Sequence, residues 1–85
     1  MDGSPVVTVN RAVAVGFAFG PEAGLRLLDT VSGLERYQPL HAARAELLRR
    51  LGDFERADAA YAMAISLSAH DREREALASR RATLR

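Results

Sequence analysis

The side chains with the widest chemical reach in this sequence are two histidines, His41 and His70, and a set of 12 basic residues answered by 11 carboxylates. The histidines stand 29 residues apart with no carboxylate at ligand spacing, so no metal site is expected. Ser68, His70 and Asp71 supply the residue types of a hydrolytic triad, but neighbours along one turn cannot adopt its geometry. His70 reads instead as a turn or cap residue. There is no GxGxxG and no phosphate-binding loop. Cysteine is absent, which excludes a disulfide scaffold, a thiolate zinc site and a cysteine nucleophile. The expectation is a chain that is not an enzyme and that needs no cofactor.

The remaining candidates are contact residues. Asn10 and Arg11 are polar neighbours in an apolar stretch, and a buried guanidinium needs a partner. One reading has them meeting another macromolecule; the favoured one has them bonding within the fold, for instance to Glu46. Phe17 and Phe19 are two residues apart and cannot both face one core from a helix. Either one is exposed and marks a contact surface beside Val15, or both are covered by the loop from Gly33 to Gln38, whose Leu34 and Tyr37 must bury somewhere. Arg44, Arg49 and Arg50, with Arg26 and Arg36, are numerous enough for a basic strip. Glu46, Asp53 and Glu55 interleave with them and no aromatic residues alternate as stacking platforms, so a solvated, ion-paired face is favoured over nucleic-acid binding. The tail arginines Arg72, Arg74, Arg80, Arg81 and Arg85 are mixed with Asp71, Glu73 and Glu75, which reads as helix-surface pairing.

Those side chains need a scaffold, and 85 residues at 48% apolar and 27% charged suffice for one small domain with one modest core. A net charge of +1 points to no particular partner, and the absence of lysine reflects base composition more simply than mechanism. The run from Val6 to Phe19 is interrupted by Thr8, Asn10, Arg11 and Gly16, too polar for a membrane span, and it lacks the features of a signal peptide. A cytoplasmic location is expected.

Pro5, Pro21 and Pro39 each sit where a helix can begin, and Gly20, Gly33 and Gly52 where one can end. Ser4 and Asp53 are candidate N-caps. The predicted helices span residues 5–19, 21–32, 39–51, 54–68 and 71–84, after a flexible or vector-derived start at 1–3; residues 4–85 form a single domain. Apolar residues recur at three- and four-residue intervals: Val6, Val9, Val13 and Phe17; Leu40, Ala43, Leu47, Leu48 and Leu51; Phe54, Ala57, Tyr61, Ala64, Ile65 and Ser68. The last segment has only Leu77, Arg81 and Leu84 along its inner line and reads as a solvent-facing lid.

A shift of 33 residues brings Ala12 over Ala45, Val15 over Leu48, Gly24 over Ala57, Leu28 over Tyr61 and Val31 over Ala64, so a helix pair is repeated once. The run from Leu51 to Leu67, with Gly52, Ala57, Tyr61 and Ala64 in place, resembles a tetratricopeptide unit. The predicted fold is all-α: two antiparallel helix hairpins in a tetratricopeptide-like α-solenoid, closed by a C-terminal capping helix. His41 stands where such repeats carry a large apolar residue, and Ala69 where they often carry proline.

The string from Ser4 to Val15, then Gly20-Pro21 with Ala23-Gly24-Leu25, then His41 to Gly52, resembles the C-terminal extension of bacterial extracytoplasmic-function RNA polymerase sigma factors over residues 4–84. It departs from that family at Gly16 to Phe19, which is more aromatic, and at Ala69-His70, which replaces a glycine-asparagine turn. The resemblance implies a piece of a longer protein whose DNA-reading domains lie upstream. It implies a non-catalytic interaction domain that supports promoter-specific transcription initiation through contacts with the parent's own sigma domains, RNA polymerase or a regulator. No direct nucleic-acid binding and no membrane contact are expected of this segment, and a homodimer of the isolated piece is compatible with it. The contact candidates are Asn10, Arg11, Phe17, Phe19 and Arg44. The rival reading is a free-standing tetratricopeptide adaptor holding a peptide in a groove lined by Asn10, Arg11, Arg44 and Leu47.

Overall fold

The structure, a computed structural model, describes residues 4–84; the expectations for Met1 to Gly3 and for Arg85 lie outside them. The fold is all-α, with helices α1 (Pro5–Phe19), α2 (Pro21–Leu28), α3 (Gln38–Leu51), α4 (Phe54–Leu67) and α5 (Asp71–Ala82). All three prolines fall in a first turn, where a missing N–H costs nothing. Gly20 at φ 102° turns α1 into α2, and Gly52 in the left-handed region at φ 89° turns α3 into α4. Asp53 caps α4, its Oδ1 accepting from the Arg56 N–H at 3.2 Å. Ser4 occupies the N-cap position of α1 without a side-chain bond, and so does His70 on α5.

The second helix ends at Leu28, short of the predicted residue 32. The Thr30 and Val31 N–H groups bond the Leu27 and Leu28 carbonyls, tightening the last turn, and the Thr30 hydroxyl takes the Leu27 carbonyl at 2.7 Å. Beyond it the chain runs as a loop that lays Val31, Leu34 and Tyr37 on the core, an arrangement a continued helix would forbid. Gly33, at φ 83°, is a loop residue and not a helix stop.

Each helix packs on its chain neighbour, and α3 also packs on α1. The Cα envelope of 37 × 27 × 16 Å accommodates two layers of helix axes about 8–10 Å apart. The core comprises Val9 and Ala12 of α1, Leu25 and Leu28 of α2, Leu40, Ala43, Ala45, Leu47 and Leu48 of α3, Ala57, Ala60, Tyr61 and Ala64 of α4, and Leu77 and Leu84 at the closing end. Its burial follows the 33-residue shift in three of the five aligned pairs: Ala12 and Ala45, Gly24 and Ala57, Leu28 and Tyr61 are buried in both halves, while Val15 and Val31 are half-buried where Leu48 and Ala64 are buried.

Four expected inner positions of α1, α3 and α4 lie exposed. On α1 the buried line is Val9, Ala12 and Gly16, while Val6 and Phe17 of the expected stripe are exposed. Gly16 and Gly24 carry no side chain because Leu47 of α3 occupies that space. A Cβ on Gly24 would stand 2.6 Å from the Ala12 carbonyl oxygen and 2.9 Å from Leu47 Cδ1, and one on Gly16 would overlap Leu47 Cδ2. Leu51 and Phe54, expected inside, flank the tight Gly52 turn and are partly exposed.

Helix α5 packs on α4 and buries Leu77, with Leu84 buried two residues past its end, in keeping with a lid. Arg81 is exposed and joins Asp58 of α4, its Nε donating at 2.7 Å and its Nη2 at 3.2 Å. Arg74 donates to the Ser68 carbonyl at 2.8 Å and pairs with Asp71, fixing the turn into the helix.

Candidate functional site

Two surface grooves lie at matching places in the two helix pairs. The first, of about 460 Å³, runs between α1 and α2 and is lined by Arg11, Val15, Ala23, Arg26, Leu27 and Thr30. The second, of about 320 Å³, runs between α3 and α4 and is lined by Arg44, Leu48, Arg56, Ala59, Ala60 and Met63, with His41 added. All six residues of the first groove map on the second at the shift of 33. The repeat governs the surface as well as the core.

The grooves differ in their charged neighbours. Arg44 Nη1 donates to Asp29 Oδ1 at 3.2 Å, an oxygen carried one residue past the end of α2. His41 Nε2 donates to the Glu35 carbonyl at 2.8 Å, holding the connecting loop to the start of α3. Arg11 is exposed and makes no side-chain hydrogen bond or ion pair among the described residues, and Asn10 beside it is exposed too. The expected bond from this pair to Glu46 does not form. Glu46 is engaged on its own helix by Arg49 and by Arg50, whose Nε donates at 3.4 Å, because i,i+3 and i,i+4 neighbours reach it first. Glu46 raises the Arg49 pKa above the ordinary guanidinium value by accepting its hydrogen bond and by its charge.

Phe17 and Phe19 are 60% and 79% exposed, so both are uncovered; the loop that was a candidate cover turns its Leu34 and Tyr37 to the core. The Arg50 guanidinium stacks over the Phe17 ring at 3.9 Å from its centroid. Of the seven exposed large apolar side chains among the described residues, α1 carries four: Val6, Val7, Phe17 and Phe19. Leu47, proposed above as a groove residue, is 1% exposed and unavailable to a ligand, since it fills the space at Gly16 and Gly24.

Of the five contact candidates, Asn10, Arg11, Phe17 and Phe19 share α1, and Arg44 belongs to the second groove. Of the five arginines expected on an ion-paired face, Arg44 pairs with Asp29 and Arg49 and Arg50 pair with Glu46, while Arg26 and Arg36 make no ion pair among the described residues. The groove partners Val15, Ala23, Leu27 and Thr30 were not singled out from sequence. Extending the shift of 33 from inner to outer positions would have found them.

A third cleft, of about 700 Å³, lies between α4 and α5 and includes Phe54, Asp58 and Arg81. No group of three or more histidine, cysteine or carboxylate side chains is placed to hold a metal among the described residues. No helix among them is long and apolar enough to cross a membrane.

No family description matches this chain, and no solved structure matches it. It is 42% identical over 71 residues to an uncharacterized protein of Rhizobium meliloti (strain 1021), a match that covers 82% of this chain and 17% of that protein. The chain therefore spans a small part of this relative's length.

Proposed function

We propose that this chain is a non-catalytic interaction domain of tetratricopeptide-like build, two helix hairpins and a closing helix. In this reading it is the C-terminal extension of an extracytoplasmic-function sigma factor, supporting promoter-specific transcription initiation through the parent's sigma domains, RNA polymerase or a regulator. The observation that carries the interaction role is the exposure on α1 of Val7, Phe17 and Phe19 and of Arg11, which has no side-chain partner among the described residues, while Arg44, Arg49 and Arg50 of α3 are paired within the chain. The sigma-factor assignment rests on the sequence resemblance of residues 4–84. The matching of core burial and of both grooves at one 33-residue period supports the repeat reading.

Two hairpins offer little surface, and a tethered partner compensates for a small interface by its high effective concentration. That favours contacts within a longer polypeptide. The test is promoter-specific transcription by the intact parent with and without this region, together with an Arg11→Ala variant of normal stability. Deletion and substitution both altering output support the role; output unchanged by deletion contradicts it.

A further inference from the structure

Arg44, at the second groove, shows what the groove arginine accepts. It holds Asp29, the residue that follows the last turn of α2, while α2 lies against α3. The α3 positions on the side where α1 and α2 pack include Leu40, Ala43, Arg44 and Leu47. Moved back by 33 residues these become Val7, Asn10, Arg11 and Ala14, all four exposed on α1. Among the described residues, the first pair thus repeats the groove and its arginine but has no helix laid on that side of α1 and no carboxylate on Arg11.

We infer that the outer side of α1 is a docking surface for one kind of partner: an amphipathic helix whose C-terminal end carries an acidic side chain, seated so that its carboxylate meets Arg11 at the mouth of the first groove. Three features specify this occupant. Val7 and Ala14 give an uncharged path along α1, and Ala14 in place of the bulkier Leu47 lets a helix approach closely. The groove walls Val15, Ala23 and Leu27 are apolar, so the ionic contact sits beside a dry patch that excludes water. Arg26 in the same groove adds a second positive charge, and no carboxylate lines it. An acidic helix end is the complement of that field, and a basic one is repelled.

The inference rests on the interaction role proposed above and adds the chemistry of the partner. The probe is a helix-stabilised, fluorescein-labelled peptide with the sequence of residues 21–31, the natural occupant of the equivalent face. It is titrated by fluorescence anisotropy with the full chain, to about 1 mM because a short helix alone binds weakly. Saturable binding is expected, weakened roughly three- to fivefold by Arg11→Met in the chain or by the change equivalent to Asp29→Asn in the peptide, with no further loss when the two are combined. Circular dichroism of Arg11→Met is expected to match the parent chain, since Arg11 makes no side-chain bond among the described residues. Binding that ignores both changes, absence of binding to the limit of the titration, or self-association of the chain through α1 in sedimentation overturns the inference. A negative result here beside a positive transcription result overturns the docking surface alone; the reverse pattern overturns the transcriptional role.

Discussion

The two helix pairs of this chain follow one pattern and use it differently. In the second pair, α3 and α4 are both 14 residues long, Ala57 and Ala64 bring them together, and Tyr61 fills the space between them. The first pair replaces Ala57 by Gly24 and Tyr61 by Leu28, and its α2 stops after 8 residues. The missing volume is made good from outside, by Leu47 pushing in at Gly16 and Gly24 and by Val31, Leu34 and Tyr37 arriving from the loop. On the surface the contrast reverses: the second pair pairs its arginines internally, and the first leaves apolar side chains and Arg11 open. A repeat can keep its core register while its outer side is reassigned from self-contact to partner contact.

The sharpest way to break the comparison is to empty the matched core positions. Tyr61→Ala and Leu28→Ala are each expected to cost about 2–5 kcal/mol in chemical denaturation, comparable losses because the two sites are equivalent. Tyr61→Phe supplies the control. The Tyr61 hydroxyl is buried and meets no hydrogen-bond partner, so its removal is expected to be neutral or stabilising. A large cost for Tyr61→Phe would mean that the hydroxyl is bonded in solution.

Exchanging the small residues comes next in size. Gly24→Ala sets overpacking against the Ala12 backbone, about 1–3 kcal/mol, against up to about 1 kcal/mol of helix propensity regained, and is expected to be destabilising overall. Ala57→Gly in the second pair loses about 1 kcal/mol through propensity alone, plus whatever cavity its methyl leaves. Thermal unfolding of both variants decides the matter: a Gly24→Ala chain more stable than the original would show that the close approach of α1 and α2 is wrong.

The smallest effect separates the two arginines. A double-mutant cycle on Arg44 and Asp29 is expected to return a coupling of about 0.2–1 kcal/mol that fades with added salt, as for an exposed pair. Arg11→Met alone is expected to leave stability unchanged. An equal loss at Arg11 would place a partner for it within the chain.

Much of this was legible in the residues. Pro5, Pro21 and Pro39 set the helix starts, Gly20 and Gly52 their ends, and the 33-residue register gave the core pairs, because these depend on local backbone geometry and on side-chain volume. The end of α2 was not legible: Thr30 and Val31 fit a helix by spacing, and only the demand of the core for Val31, Leu34 and Tyr37 unwinds it there. The partner of Glu46 was missed for a similar reason, since a distant Arg11 was weighed before Arg49 and Arg50 on the same helix. Phe17 looked like core because aromatic residues at helical spacing usually are; the side of α1 that faces the core runs instead through Val9, Ala12 and Gly16, where Leu47 packs.

The account depends on Arg44 at the second groove being held by its own chain while Arg11, its repeat at the first, is open to a partner. Two-dimensional amide NMR of the full chain, titrated with the peptide of residues 21–31, tests this directly. Shifts confined to Val7 through Phe19 and to the first-groove residues of α2 are the predicted result. Shifts centred on the second groove between Arg44 and Met63, or scattered over all five helices, would contradict it.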